Sequence, residues 1–439
     1  MSWWRNSLAG LVVILLALAA QPACANPAQD VVRDPSLPQD TKGLDFEIGR
    51  ALFERHWAAA PASTQAADGL GPLFNARACV SCHPGGGRGV PFDKLGATLP
   101  ALLFRLGAHN ADATSAGDPL YGQQIQVSSV AGIGAEASTS VAFETSTVTL
   151  ADGTTVELRK PTPKLDKLAY GALASGIVAS PRLATAIHGI GLLEQIPESE
   201  ILANVHATNE ADGVKGKPNY VLDPITGKRT LGRFGWKAGA ASLEVQDAKA
   251  LDLDIGLSNP VFHDAFGDCT AKQADCLKMP TGVSPQFENL EVPSSLTRLI
   301  DRFVGEAMLP PVPKAANAAA GRAVFSAAGC TACHQPSFKL ASGREIAPYT
   351  DLLLHDMGMG LADHMAEGEA SGREWRTAPL WGIGQALRAG NAGLLHDGRA
   401  RNVLEAILWH DGEAAQARAR VEQLPAQDRQ ALIDFIGSL

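Results

Sequence analysis

Two pentapeptides in this chain have the residue types and spacing for covalent redox chemistry: Cys79-Val80-Ser81-Cys82-His83 and Cys330-Thr331-Ala332-Cys333-His334. In a Cys-x-x-Cys-His run, two thiols on the first turn of a helix can form thioethers with the two vinyl groups of a haem, and the adjoining imidazole can ligate its iron. The chain has only seven cysteines in 439 residues, so two such runs are hard to ascribe to chance. Each begins five residues after a phenylalanine, Phe74 and Phe325. A bare Cys-x-x-Cys would also suit half a zinc site or a dithiol redox pair. Two copies, each followed by His and lying behind an export signal, favour haem.

The elements around the runs must hold them against a flat macrocycle. From Gly43 to Trp57 the apolar Leu44, Ile48, Leu52 and Phe53 recur at helical spacing, which predicts a helix packed over the first haem. Its Gly49-Arg50-Ala51-Leu52-Phe53 is echoed by Gly321-Arg322-Ala323-Val324-Phe325 ahead of the second run, the mark of a duplicated cytochrome c unit. Pro84-Gly85-Gly86-Gly87-Arg88-Gly89 follows no strand and precedes no Lys-Ser/Thr, so it reads as backbone close to porphyrin rather than a phosphate loop. Residues 138–160 alternate apolar and polar around Ala151-Asp152-Gly153 and predict a β-hairpin. From Pro181 to His206 the pattern returns to helix. The expected fold is mainly α, with two cytochrome c-like haem domains, a small β-hairpin insertion and many loops. Its divisions are a signal peptide at 1–25, a first haem domain at 26–210, a connecting region at 211–312 and a second haem domain at 313–439.

Composition narrows the setting. Arg5, the apolar Leu8 to Ala20 and the small residues Ala23-Cys24-Ala25 form a cleavable signal, which places the mature protein in the periplasm. The apolar segment is shorter than the roughly 20 residues that span a bilayer, and no later stretch is long and apolar enough to cross one. A retained anchor and lipidation at Cys24 are the alternatives. A net charge of −9 argues against nucleic acid as a partner. In an oxidising compartment Cys269 and Cys276 are expected to form a small-loop disulfide.

Longer motifs carry a family resemblance. Asp68-Gly69-Leu70-Gly71-Pro72-Leu73-Phe74-Asn75-Ala76-Arg77, Tyr121-Gly122-Gln123-Gln124, Gly232-Arg233-Phe234-Gly235-Trp236-Lys237-Ala238, Pro348 to Gly358 and His396-Asp397-Gly398-Arg399 resemble the bacterial di-haem oxidoreductases, labelled thiol oxidoreductases or di-haem peroxidases. The resemblance covers nearly all of the mature chain. The C-terminal unit is also similar to the second haem domain of di-haem cytochrome c peroxidases and of the di-haem enzyme that matures a tryptophan-derived quinone.

In those relatives a His-Asp-Gly precedes the sixth iron ligand by fourteen residues, which here leads from His396 to His410. The resemblance thus implies two covalently bound c-type haems, the second held by Cys330, Cys333, His334 and His410, with Met357 and Met359 as competing ligands. The first is held by Cys79, Cys82 and His83, and none of His109, His188 and His206 matches a distal ligand. Glu194 and Glu198 lie in the stretch nearest to the relatives' distal acid, or else cap a helix. Trp236 is either a hole carrier between haems or a core aromatic. Asn209, Asp212 and Gly213 resemble a degraded calcium loop, and Thr377 and Pro379 match a backbone calcium site. The implied activity is peroxidase-like: electrons from a small cytochrome or cupredoxin reduce a small oxidant such as hydrogen peroxide. The alternatives are a non-catalytic di-haem electron carrier and oxidation of a partner protein's side chains.

Overall fold

The computed structural model describes residues 31–38, 42–93, 96–109, 117–205, 212–310, 316–388 and 393–439. The expected signal peptide, Cys24, His206 and Asn209 lie outside the described residues.

Two crossed helix pairs frame the protein. In the first, the Lys42–Glu54 helix packs on the Ser294–Glu306 helix, and in the second the Ala318–Ala327 helix packs on the Ala426–Ile436 helix. The repeated Gly-Arg-Ala-x-Phe explains both crossings, because Gly and the Phe four residues later share one helix face. A Cβ on Gly49 would lie 2.1 Å from the Leu299 carbonyl oxygen, and one on Gly321 would lie 2.1 Å from that of Ala431. Next to each glycine a phenylalanine meets a phenylalanine: Phe53 and Phe303 have ring centroids 5.1 Å apart, Phe325 and Phe435 5.5 Å. Glycine inside a helix costs about 1 kcal/mol relative to alanine. The close approach it permits is what offsets that cost.

This pairing moves a predicted boundary. The helix that closes the first unit begins at Ser294, so a division at 210 cuts the unit in two, and the supposed connecting region supplies one of its walls. The predicted first helix is present, but its buried face is Phe46, Gly49, Leu52 and Phe53, while Leu44 and Ile48 are exposed. Apolar spacing marked a helix there and found Leu52 and Phe53 of its buried face, but missed Phe46 and Gly49.

The fold is also less helical than expected. The chain is 30% helix and 21% strand, with each sheet of only two strands, so it is mixed rather than mainly α. The predicted hairpin extends over Ser138–Thr149 and Thr155–Asp166, with Val148 opposite Val156 and Gly153 at φ +82° in the turn. Its tip is tied to the second unit: Ala151 N–H donates to the Glu422 carbonyl at 3.0 Å, and Arg429 meets Asp152 at 2.7 Å. A second ladder pairs Leu102–Ala108 with Ile177–Leu183, so strand occupies the start of a stretch read as helix. Beyond it only Ile190–Glu194 and Glu198–Leu202 are α-helical before His206. The Ile177-Val178 pair and Pro181 suit an extended edge better than a helix. Cys269 and Cys276 are joined as a disulfide.

The crossings can be tested by size. Gly49→Ala and Gly321→Ala should each destabilise the protein by about 1–3 kcal/mol, because the methyl must push two backbones apart. Gly134→Ala, which meets nothing within 4 Å, should melt with the wild type in the same thermal scan. Wild-type melting of both crossing variants would refute the packing account.

Candidate functional site

The two Cys-x-x-Cys-His runs open onto two clefts, each of about 1400 Å³ counting its mouth. The second is the more complete. Its Cys330–Ala332 turn starts after Gly329 at φ +86° and delivers His334 to the cleft wall. His334 Nδ1 lies 2.9 Å from the Tyr349 carbonyl oxygen, and His410 Nδ1 lies 2.7 Å from that of Ala406. A carbonyl can only accept, so each Nδ1 carries the proton and each Nε2 keeps a bare lone pair. Burial pushes both imidazoles below their ordinary value, His334 to about 4, with nearby His410 adding to the fall. Both rings are therefore neutral near pH 7, as iron ligands must be. Met357 also lines this cleft, whereas Met359 is 61% exposed.

The first cleft is built on the Cys79–Cys82 helix and closed by Phe53, whose ring lies 6.2 Å from that of His83. His83 lines the cleft with a buried Nδ1 that has no hydrogen-bond partner among the described residues, and burial lowers its pKa. Burial also pushes the Cys79 and Cys330 thiols up to about 12 and raises Cys82 and Cys333. A dithiol redox pair needs the opposite shift, toward thiolate. The donor sets and apolar walls therefore fit two covalently attached haems.

A wall common to both clefts contains Arg88, Arg376, Ala378, Pro379 and Ile383. Arg376 is buried, and Arg88 shows its exposed part to the clefts it lines. Burial lowers both guanidinium groups to about 10, and neither makes an ion pair among the described residues. Two guanidinium groups with no close ion pair among the described residues, Arg376 feeling only the more distant charge of Asp351, suit the anionic side chains of a haem. Trp236 stands at this boundary, lining the second cleft with Arg88 5.4 Å above its ring and its Nε1–H donating to the Leu183 carbonyl at 2.7 Å.

The predicted acids are not brought to the first cleft. Glu194 and Glu198 are both exposed, and Glu194 Oε1 accepts the Leu243 N–H at 2.8 Å, which makes it a helix cap. The carboxyls that do line the cleft are Asp247 and Asp254. Burial raises both, Asp254 to about 6 and Asp247 well above the carboxylate range, with Asp301 beside Asp247 adding to its shift. Their signal in the sequence was the i, i+7 spacing of Asp247 and Asp254, which places both on one side of a helix.

The remaining histidines sort by geometry. His188 lines the first cleft with its Nε2–H donating to the Trp381 carbonyl at 3.2 Å, which leaves its buried Nδ1 without a partner among the described residues. His109 stacks on His364 with centroids 5.4 Å apart. His355, part of the Pro348 to Gly358 motif but given no role there, lines the second cleft between Asp351 and Glu413, each 2.8 Å from a ring nitrogen. Burial opposes its charge, yet Asp351 holds its pKa well above the ordinary value. Of the suspected calcium ligands, Asp212 is paired with Arg420 at 2.6 Å, and the Thr377 carbonyl accepts from Thr350 at 2.6 Å.

Comparisons with known proteins agree with this architecture in part. No curated protein matches the chain. Among solved structures, hydrazine synthase from Kuenenia stuttgartiensis is similar at 16% identity over 42% of this chain and 67% of its own, with a TM-score of 0.26 that supports no argument. The family model described as "Di-haem oxidoreductase, putative peroxidase" matches residues 124–439, a stretch that includes the second Cys-x-x-Cys-His run and begins after the first. With well over half of its length matched, and with two haem-type clefts sharing a wall, the chain belongs to the di-haem oxidoreductase family.

Proposed function

We propose that this chain is an exported, peroxidase-like oxidoreductase that takes electrons from a small cytochrome or cupredoxin and delivers them to a small oxidant such as hydrogen peroxide. The observation that supports this reading most is the difference between the clefts: His334 and His410 with free Nε2 in the second, and in the first His83, an imidazole tied to the Trp381 carbonyl at His188, and two buried carboxyls. When bound, the haem of the second site supplies six-coordinate electron transfer and that of the first supplies reduction of the oxidant. Reducing one hydrogen peroxide to two waters takes two electrons and two protons.

The residues have distinct tasks. Cys79, Cys82, Cys330 and Cys333 anchor the haems, and His83, His334 and His410 are the iron ligands. Tyr349 and Ala406 fix the orientation of two of those ligands through their carbonyls. Arg88 and Arg376 hold anionic groups where the clefts meet, and Trp236 bridges them as the aromatic through which a hole passes. A buried carboxyl in the first cleft holds a proton for the oxidant. Export to the periplasm rests on the apolar N-terminal segment.

Three measurements test this reading. Mass spectrometry of protein made with a haem-attachment system should find two covalent haems and loss of residues 1–25. One haem or none would overturn it. Low-temperature EPR of His410→Ala should convert one low-spin signal to high-spin and leave the other haem unaltered, with Met357→Ala resembling wild type. The opposite pattern would transfer the ligand role to Met357. Finally, hydrogen peroxide should oxidise a reduced small cytochrome through the wild type and not through His334→Gly. Six-coordinate low-spin iron at both sites, with no peroxide consumed, would favour the electron carrier, and His188 would then be the imidazole to examine in the first cleft.

A further inference from the structure

The loop that carries His396 in the second unit has a counterpart in the first that sequence comparison conceals. Phe234 and Ala240 form an isolated antiparallel bridge, as do Leu394 and Ala400. The bonds correspond: Phe234 N to Ala240 O at 3.0 Å and the return at 3.3 Å, against Leu394 N to Ala400 O at 2.8 Å and the return at 3.4 Å. Gly235 and Leu395 both have positive φ, +79° and +69°, and so do Ala238 and Gly398, +53° and +73°. Two residues after each bridge a side chain caps a helix, Ser242 accepting from Val245 N–H and Asn402 from Glu405 N–H. In this register Trp236 stands where the other unit has His396. The His-Asp-Gly of the second unit is matched by Trp236-Lys237-Ala238, which shares no residue with it.

The same register continues along the two helices, Leu243–Ala250 and Val403–Leu408. It pairs Gln246 with Ala406, Asp247 with Ile407, Ala250 with His410 and Asp254 with Ala414, and both members of every pair line their own cleft. The second unit thus has a ligand in apolar company, and the first has polar company around a methyl group. We propose that Ala250 leaves open on the first haem the axial position that His410 fills on the second, and that Asp247, with Gln246 one residue before it, faces a small protic ligand bound there. The class of ligand is a neutral protic molecule, such as hydrogen cyanide or hydrogen peroxide, whose proton passes to the Asp247 carboxylate as it binds, leaving the Asp247 carboxyl to donate a hydrogen bond to the bound anion.

Two independent features support the assignment. Asp247 Oδ2 is buried with no hydrogen-bond partner among the described residues, an orphan acceptor that a bound ligand would satisfy. Asp254, by contrast, is occupied, since its Oδ1 accepts from Gln124 Nε2 at 2.8 Å. Burial, with the Asp301 carboxyl beside it, raises the Asp247 carboxyl well above the carboxylate range and so favours its taking up a proton. The proposal deepens the peroxidase reading but does not need turnover to be tested.

The test uses full-length, haem-loaded protein with cyanide as the probe, followed by EPR and optical titration. Wild type should bind cyanide at one haem. Ala250→His should supply the missing ligand, convert that haem to six-coordinate low-spin and weaken cyanide binding at least tenfold. Asp247→Asn should keep the wild-type spin state yet lose about tenfold in cyanide affinity through the lost hydrogen bond, and Glu194→Gln should not. Unchanged spectra and cyanide binding in Ala250→His would overturn the register. If that variant does not fold, wild-type cyanide affinity in Asp247→Asn overturns the proposal by itself. Cyanide binding that depends on Ala250 and Asp247, with no peroxide consumed, would uphold this inference while refuting the peroxidase reading.

Discussion

The second site depends on two short hydrogen bonds, from His334 Nδ1 to the Tyr349 carbonyl and from His410 Nδ1 to the Ala406 carbonyl. An imidazole has two nitrogens and, when neutral, one proton, so fixing that proton on Nδ1 decides which nitrogen is left to ligate iron. Both acceptors are backbone atoms, held by the fold and not by a rotamer. Tyr349 is itself buried against Phe325 and Phe435, the pair at the second helix crossing, so the ligand's orientation is tied to the glycine-dependent approach of two helices. The hairpin strap from residues 150–158 packs Leu150 and Leu158 on Leu408, two residues before His410. Packing far from the second cleft thus sets the aim of the free imidazole nitrogens that line it.

The two units share a scaffold and differ in the lining of their clefts. Crossed helices, a capped helix after a bridged loop, and a Cys-x-x-Cys-His turn recur in both. Around the second cleft Ala406, Ile407 and Ala414 surround a histidine, while around the first Gln246, Asp247 and Asp254 surround Ala250. A carboxyl buried without a counter-ion is costly unless it is protonated or bonded. Its presence in one unit and not in the other is the feature on which the proposed proton transfer at the first cleft rests.

Between the clefts, Arg88, Arg376 and Trp236 meet where an apolar seal would be cheaper to build. Two guanidinium groups with no ion pair among the described residues would be poor packing by themselves. Their cost is understandable if anionic groups complete the wall. The same wall brings the two units' chemistry within one layer of side chains.

Local chemistry was legible from the chain alone. Five consecutive residues specify a haem-attachment run, Gly-Arg-Ala-x-Phe specifies a helix face that can be crossed closely, and Asp152-Gly153 specifies a hairpin turn, because each is a property of near neighbours. The fourteen-residue count to His410 likewise selected a side chain that does line the second cleft. What only the tertiary structure decided were relations between distant segments. The helix closing the first unit arrives some 250 residues after its partner, and Glu194 is drawn away from the cleft to cap the helix at Leu243. Asp247 faces that cleft because its helix follows a loop whose counterpart shares backbone conformation without sharing residues. Backbone geometry was kept where side chains diverged, since hydrogen bonds between main-chain groups and two positive-φ positions hold that loop whatever its side chains are. For that reason the resemblance could be seen in the fold and not in the letters.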